Sequence, residues 1–108
     1  MHTTLLKATT ILHSNTIKVK RYAFYNNKTL VSADFSNCVN LTSVGYQAFY
    51  QSSKLESVNF SNCTNLTSLG GTHSFYRCTN LKNIDFTNCT SLNTIEWAFS
   101  GCTSLTSI

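Results

Sequence analysis

The sequence predicts a β-rich solenoid, a stack of about 3.5 turns with two short strands in each turn of 24–26 residues. Three observations predict it: phenylalanines at a recurring interval, a leucine at a fixed distance from each, and cysteines that keep the same beat. The phenylalanines are Phe24, Phe35, Phe49, Phe60, Phe75, Phe86 and Phe99, all seven in the chain. Six residues after each stands Leu30, Leu41, Leu55, Leu66, Leu81, Leu92 or Leu105. Three further on comes Ala33, Val44, Val58, Leu69, Ile84, Ile95 or Ile108.

The intervals between phenylalanines run 11, 14, 11, 15, 11 and 13, so the true unit is a pair of unequal halves. One half reads LxxIxFxxC, as in Leu81 to Cys89. The other reads LxxI, a spacer, then Ala-Phe or Ser-Phe, as in Leu92 to Phe99. Apolar offsets of three and then two suit a bend entering a strand, where alternate residues point inward. Equivalent residues of stacked turns lie about 4.8 Å apart, which gives two phenylalanine columns on opposite walls of one core. The predicted turns are 23–47, 48–73 and 74–97 with a partial turn at 98–108. Residues 1–22 have weaker apolar spacing, at Leu12, Ile17 and Val19, and read as a degenerate first turn or cap. Gly45, Gly70 and Gly71 fall in spacers and are expected to supply positive φ. The chain stops at Leu105-Thr-Ser-Ile108 without a polar cap, which predicts a longer native array or end-to-end association of copies there.

Composition agrees with one β-rich domain: 108 residues, 42% hydrophobic, and only 11% charged. Ser, Thr and Asn fill the surface positions, and their short polar side chains favour turns over long helices. The formal charge of +4 comes from Lys7, Lys18, Lys20 and Arg21; beyond residue 23, Lys28, Lys54, Arg77 and Lys82 balance Asp34, Glu56, Asp85 and Glu96. The basic run reads as a solvated face, so nucleic acid is not an expected partner. No run approaches the ~18 apolar residues of a membrane span, so no membrane insertion is expected of this segment, and Leu5-Leu6 and Ile11-Leu12 do not form a signal-peptide core.

Cys38, Cys63, Cys78, Cys89 and Cys102 each follow a phenylalanine by three residues, with Asn27 and Ser52 in the two remaining places. Buried thiols, disulfides and metal ligation are the three readings; parallel stacked side chains and the lack of a CxxC pair favour the first. No cofactor or metal is expected. His73 and Cys78 are the sharpest catalytic pair available, yet the repeat turns Cys78 inward, so an enzyme is not expected. Asp34, Asn59 and Asp85 form a column one residue before an inward phenylalanine, facing solvent. Its two carboxylates would lie roughly 10 Å apart, too far for a retaining glycosidase pair. Tyr25, Tyr50 and Tyr76 each follow an inward phenylalanine and form a second outward column, ended by Ser100. These six residues are the candidate binding surface, because tyrosines in register offer rigid amphipathic area. Tyr22, Tyr46 and Trp97 fall in other spacer positions. The Asn-x-Ser/Thr triplets at Asn27, Asn40, Asn59, Asn62, Asn65 and Asn88 arise from the repeat composition and do not indicate a compartment.

The motif LxxIxFxxCxxL resembles the leucine-rich-repeat consensus. Its alternation with Ala48-Phe49-Tyr50 and Ser74-Phe75 halves resembles the BspA-type leucine-rich repeats more closely, over residues 23–108. It lacks the proline that the bacterial form often places after the strand. The resemblance implies a cell-surface or extracellular protein that binds protein or glycan partners. A structural spacer within a longer repeat array, with no ligand of its own, is the alternative.

Overall fold

In a computed structural model of the chain, residues 9–11, 16–36, 38–69, 73–95 and 97–106 are described. Their regular structure is all strand: β1 (Thr9–Ile11), β2 (Lys18–Val19), β3 (Ser32–Asp34), β4 (Ser43–Val44), β5 (Ser57–Asn59) and β6 (Asn83–Asp85). Two parallel sheets run through the molecule, one in the order β1-β3-β5-β6 and the other β2-β4. Single bridges from Ser43 to Ser68 and from Ser68 to Thr94 prolong the second sheet. Residues one repeat apart pair directly: Ala33 with Val58 and Val58 with Ile84 in one ladder, Val19 with Val44 in the other. The strands stay short because each offers only one inward residue before its phenylalanine. In Ser-Val-Asn of β5, Val58 is buried and its neighbours are half-buried.

Pairing between turns continues into the phenylalanines, since Phe35 N donates to Asn59 O at 2.7 Å and Phe49 N to Ser74 O at 2.7 Å. Two tight turns then carry the chain from Phe to Leu. Cys63 N donates back to Phe60 O at 3.0 Å, and Leu66 N to Cys63 O at 3.2 Å. The same two bonds recur from Phe35, Phe49, Phe75, Phe86 and Phe99. Two successive four-residue turns that share the cysteine, each advancing the chain by three residues, are the physical origin of the six-residue offset between phenylalanine and leucine. In the first turn, Leu30 N is satisfied by the Asn27 side-chain oxygen at 2.7 Å.

The core is two ring stacks meeting edge to face. Phe24, Phe49, Phe75 and Phe99 stack at 4.9, 4.8 and 5.3 Å, and Phe35, Phe60 and Phe86 at 4.9 and 5.6 Å. Phe35 meets Phe49, and Phe60 meets Phe75, at 6.3 Å and 84°. The segments bearing the two stacks therefore lie on opposite sides of the core.

The seven phenylalanines are not equally buried. Phe35, Phe49, Phe60 and Phe75 are fully enclosed, whereas Phe24, Phe86 and Phe99 are partly exposed. Ile95, placed inward by the repeat, is exposed. Positive φ does not fall on Gly45. It falls on Tyr22, Gln47, His73 and Trp97, two residues before a phenylalanine, and on Asn26, Gln51, Asn62, Arg77, Asn88 and Gly101, two residues after. Gly45 is instead a point of close approach: an added Cβ would meet Arg21 N at 2.4 Å and Lys20 C at 2.7 Å. Gly70, Gly71 and Ile108 lie outside the described residues. Residues 9–11 and 18–19 add a strand to each ladder, so pairing extends into the region read as a degenerate turn or cap.

Candidate functional site

The cysteines occupy a position with a specific hydrogen-bonding duty. Cys63 Sγ donates to Phe35 O at 3.2 Å, Cys78 to Phe49 O at 3.0 Å, Cys89 to Phe60 O at 3.1 Å and Cys102 to Phe75 O at 3.0 Å. Ser52 Oγ does the same to Phe24 O at 2.8 Å. Each donor thus satisfies the phenylalanine carbonyl one turn back, whose lone pairs are otherwise only partly used by its own tight turn. The thiols act as donors rather than as small apolar fillers only. All five cysteines are free.

Burial is the main cause that pushes the Cys63 thiol up to about 12, with neighbouring thiols and Asp34 adding to it. The Cys102 thiol beside it and burial hold Cys78 protonated as well. A folded pKa above the ordinary value of 9.0 contributes stability that is complete below pH 9 and is lost as pH rises from 9 toward 12. Wild-type stability in urea titrations is therefore expected to fall across that window more steeply than that of Cys63→Ser. Serine keeps the donor, as Ser52 shows, and has no thiolate to form. Parallel pH profiles for the two proteins would remove buried Cys63 ionisation as a cause.

The column predicted to face solvent is only partly exposed, with Asp34 and Asn59 half-buried and Asp85 exposed, and it is used by the backbone. Asp34, Asn59 and Asp85 stand in register across β3, β5 and β6. Their Oδ1 atoms accept the amides of Ser36, Ser61 and Thr87 at 2.8, 2.8 and 2.9 Å. These are Asx turns that end each strand. Hydrogen bonds from Thr87, side chain first and amide second, hold the Asp85 carboxyl below its usual range.

Tyr25, Tyr50 and Tyr76 come together as a stacked row. Ring centroids are 4.8 Å apart at 4° for the first pair and 5.2 Å apart at 30° for the second. Tyr25 is 47% exposed, Tyr50 and Tyr76 are half-buried, and Ser100 ends the column half-buried. Tyr22 packs edge-on against both Tyr25 at 5.6 Å and Tyr46 at 5.9 Å, so all five tyrosines form one continuous cluster. His73 packs edge-on against Tyr76 at 4.7 Å, and the Arg77 guanidinium lies 5.2 Å from the same ring centroid. Trp97 is 62% exposed in the same left-handed position as Tyr22 and His73. A shallow open cleft is lined by Tyr22, Tyr25 and Gln47.

Residue spacing reveals the central three tyrosines and places Tyr22 and Tyr46 in other spacers, but it does not join them or His73 to that row. Tyr22 and His73 reach the row because their backbones are left-handed, which costs non-glycine residues about 1 kcal/mol each. The available sequence signal was their position, two residues before an inward phenylalanine. The His73 imidazole packs on Tyr76, and the buried Cys78 thiol bonds to Phe49 O. Among the described residues, no cluster of three His, Cys, Asp or Glu side chains is placed to hold a metal ion. No helix among them is long and apolar enough to cross a membrane.

Six copies of the BspA type leucine-rich repeat region match residues 2–108. No curated protein sequence matches the chain. Among solved structures, a leucine-rich repeat protein from Bacteroides ovatus is 26% identical, with a TM-score of 0.33; the match covers 93% of this chain and 37% of that one. The chain thus spans well under half the length of that protein. With the family repeats covering nearly every residue, the chain belongs to the BspA-type leucine-rich-repeat family.

Proposed function

We propose that this chain is a binding or adhesion module of a cell-surface or secreted protein, that it recognises a protein or glycan, and that the tyrosine cluster is its contact surface. The scaffold under this reading is a closed solenoid of about 3.5 turns, whose repetition sets side chains in columns. The observation that carries the reading is the sorting of aromatic residues. The phenylalanines line the core, while all five tyrosines gather in one cluster in which Tyr22, Tyr25 and Tyr46 are exposed. Such a cluster presents large side chains with little rotamer entropy left to lose, which recognition surfaces exploit. The Asx column is the weaker part of the candidate surface, because one oxygen of each side chain is already held by a backbone amide. Membership of a family of commonly surface-displayed repeats supports the extracellular placement.

The test is a binding panel of immobilised matrix proteins and glycans, read by biolayer interferometry for wild type and for Tyr25→Ser/Tyr50→Ser/Tyr76→Ser. At least one panel member is expected to bind wild type and to lose roughly a hundredfold or more in affinity with the triple variant. Circular dichroism must show that the variant is folded. Binding that survives the triple substitution removes the tyrosine row from the function. A folded wild type that binds no panel member favours the structural spacer.

A further inference from the structure

We infer that the tyrosine row takes an acidic polypeptide segment; this rests on the binding reading above and adds the chemistry of the partner. Formal charge is sorted between the two sides of the core, which the near-neutral sum beyond residue 23 conceals. On the tyrosine side, residues 20–27, 45–52, 73–78 and 97–102 contain Lys20, Arg21 and Arg77 and no acid. All three cations are exposed. Glu96, the acid nearest in sequence, lies outside the described residues. On the strand side, the equivalent residues 31–38, 56–63 and 82–89 contain Asp34, Glu56 and Asp85 against one cation, Lys82. The tyrosine side therefore favours an anionic partner.

The stacking geometry narrows the class further. Tyr25, Tyr50 and Tyr76 cover one another's faces, Tyr22 packs against Tyr25, and His73 with Arg77 packs against Tyr76. Sugar rings bind aromatic side chains through open ring faces, and the faces that Tyr25, Tyr50 and Tyr76 turn toward one another are closed by stacking. Left outward are ring edges, where the aromatic quadrupole is positive, and phenolic hydroxyls, which donate. Ring edges, hydroxyls and guanidinium groups are together complementary to carboxylates. The row spans 4.8 Å and then 5.2 Å, about three residues of extended chain, so side-chain carboxylates of a short Asp- or Glu-rich stretch reach it and the flanking cations together.

The experiment measures fluorescence anisotropy of a fluorescein-labelled decaglutamate peptide against the folded chain, with decalysine, a heparin oligosaccharide and a neutral cello-oligosaccharide as comparison probes. Decaglutamate is expected to bind and decalysine and the neutral glycan not to. Affinity is expected to fall about tenfold with Arg77→Glu, and similarly with the pair Lys20→Glu/Arg21→Glu, while Arg77→Lys retains most of it. The second variant guards against a folding defect at the left-handed Arg77 position. Heparin binding without decaglutamate binding overturns the polypeptide assignment in favour of an anionic glycan. Decaglutamate affinity unchanged in both charge-reversed variants, or in Tyr25→Ser/Tyr50→Ser/Tyr76→Ser, overturns the site. If a panel ligand is lost with the tyrosine triple while decaglutamate never binds, the acidic-partner inference fails and the binding reading stands.

Discussion

Phe60→Asp is expected to abolish the cooperative thermal transition. Phe60 is fully buried, stacks on Phe35 at 4.9 Å and on Phe86 at 5.6 Å, and meets Phe75 edge-on at 6.3 Å. Removing such a ring costs about 3–5 kcal/mol in lost transfer energy and cavity formation. An unpaired carboxylate in that cavity adds several more. A domain of this size has a total stability of roughly 5–15 kcal/mol, so the sum is enough to unfold it. Phe86→Asp is expected to lower the midpoint without abolishing it, because Phe86 is only partly buried and its carboxylate could reach water. Far-UV circular dichroism melts of the two variants distinguish them. A Phe60→Asp protein that melts with wild type would contradict the stacked core.

Gly45→Ala is expected to produce the next largest loss, about 2 kcal/mol or more, although it adds one methyl group. That Cβ would fall 2.4 Å from Arg21 N, 2.7 Å from Lys20 C and 2.8 Å from Arg21 Cα, all backbone atoms of the turn below. Backbone cannot rotate away as a side chain does, so the turns must separate. Separation would stretch the bond from Gly45 N to Val19 O, now 2.7 Å. Gly101→Ala serves as the contrast. Gly101 has φ of +79° and its added Cβ would meet Arg77 Cγ, a side-chain atom, at 3.0 Å, so its cost is mainly the left-handed backbone, about 1–2 kcal/mol. Urea titrations should rank the two losses in that order; equal losses would mean that close approach is not what requires glycine at residue 45.

The pairing of the ladders was legible in the sequence because Phe, Leu and Ile offsets record which side chains face the core. Val58 reaches Ala33 and Ile84 as its place in the repeat predicts. The cysteine beat was equally plain, but its purpose was not. A thiol at that place reads as a small apolar residue until Ser52 is seen donating to the equivalent carbonyl. Two features depend on backbone conformation inside the spacers, which apolar periodicity does not encode. Gly45 looks like a positive-φ glycine and is a contact glycine, while Tyr22, Gln47 and His73 take the left-handed conformation that glycine was expected to supply. That conformation brings Tyr22 and His73 onto the tyrosine row, so the cluster could be read only in part, from Tyr25, Tyr50 and Tyr76. Charge sorting was hidden for a related reason, since it appears only when residues are assigned to a side of the core.

The proposed contact surface exists only if the tyrosines of successive repeats pack together. Nuclear Overhauser contacts between aromatic rings in the folded chain measure this directly. The structure predicts contacts from Tyr50 to both Tyr25 and Tyr76, from Tyr22 to Tyr25 and Tyr46, and from His73 to Tyr76. Observing the Phe35 to Phe60 and Phe49 to Phe75 contacts of the core without any contact from Tyr50 to Tyr25 or Tyr76 would leave the scaffold intact and contradict the surface.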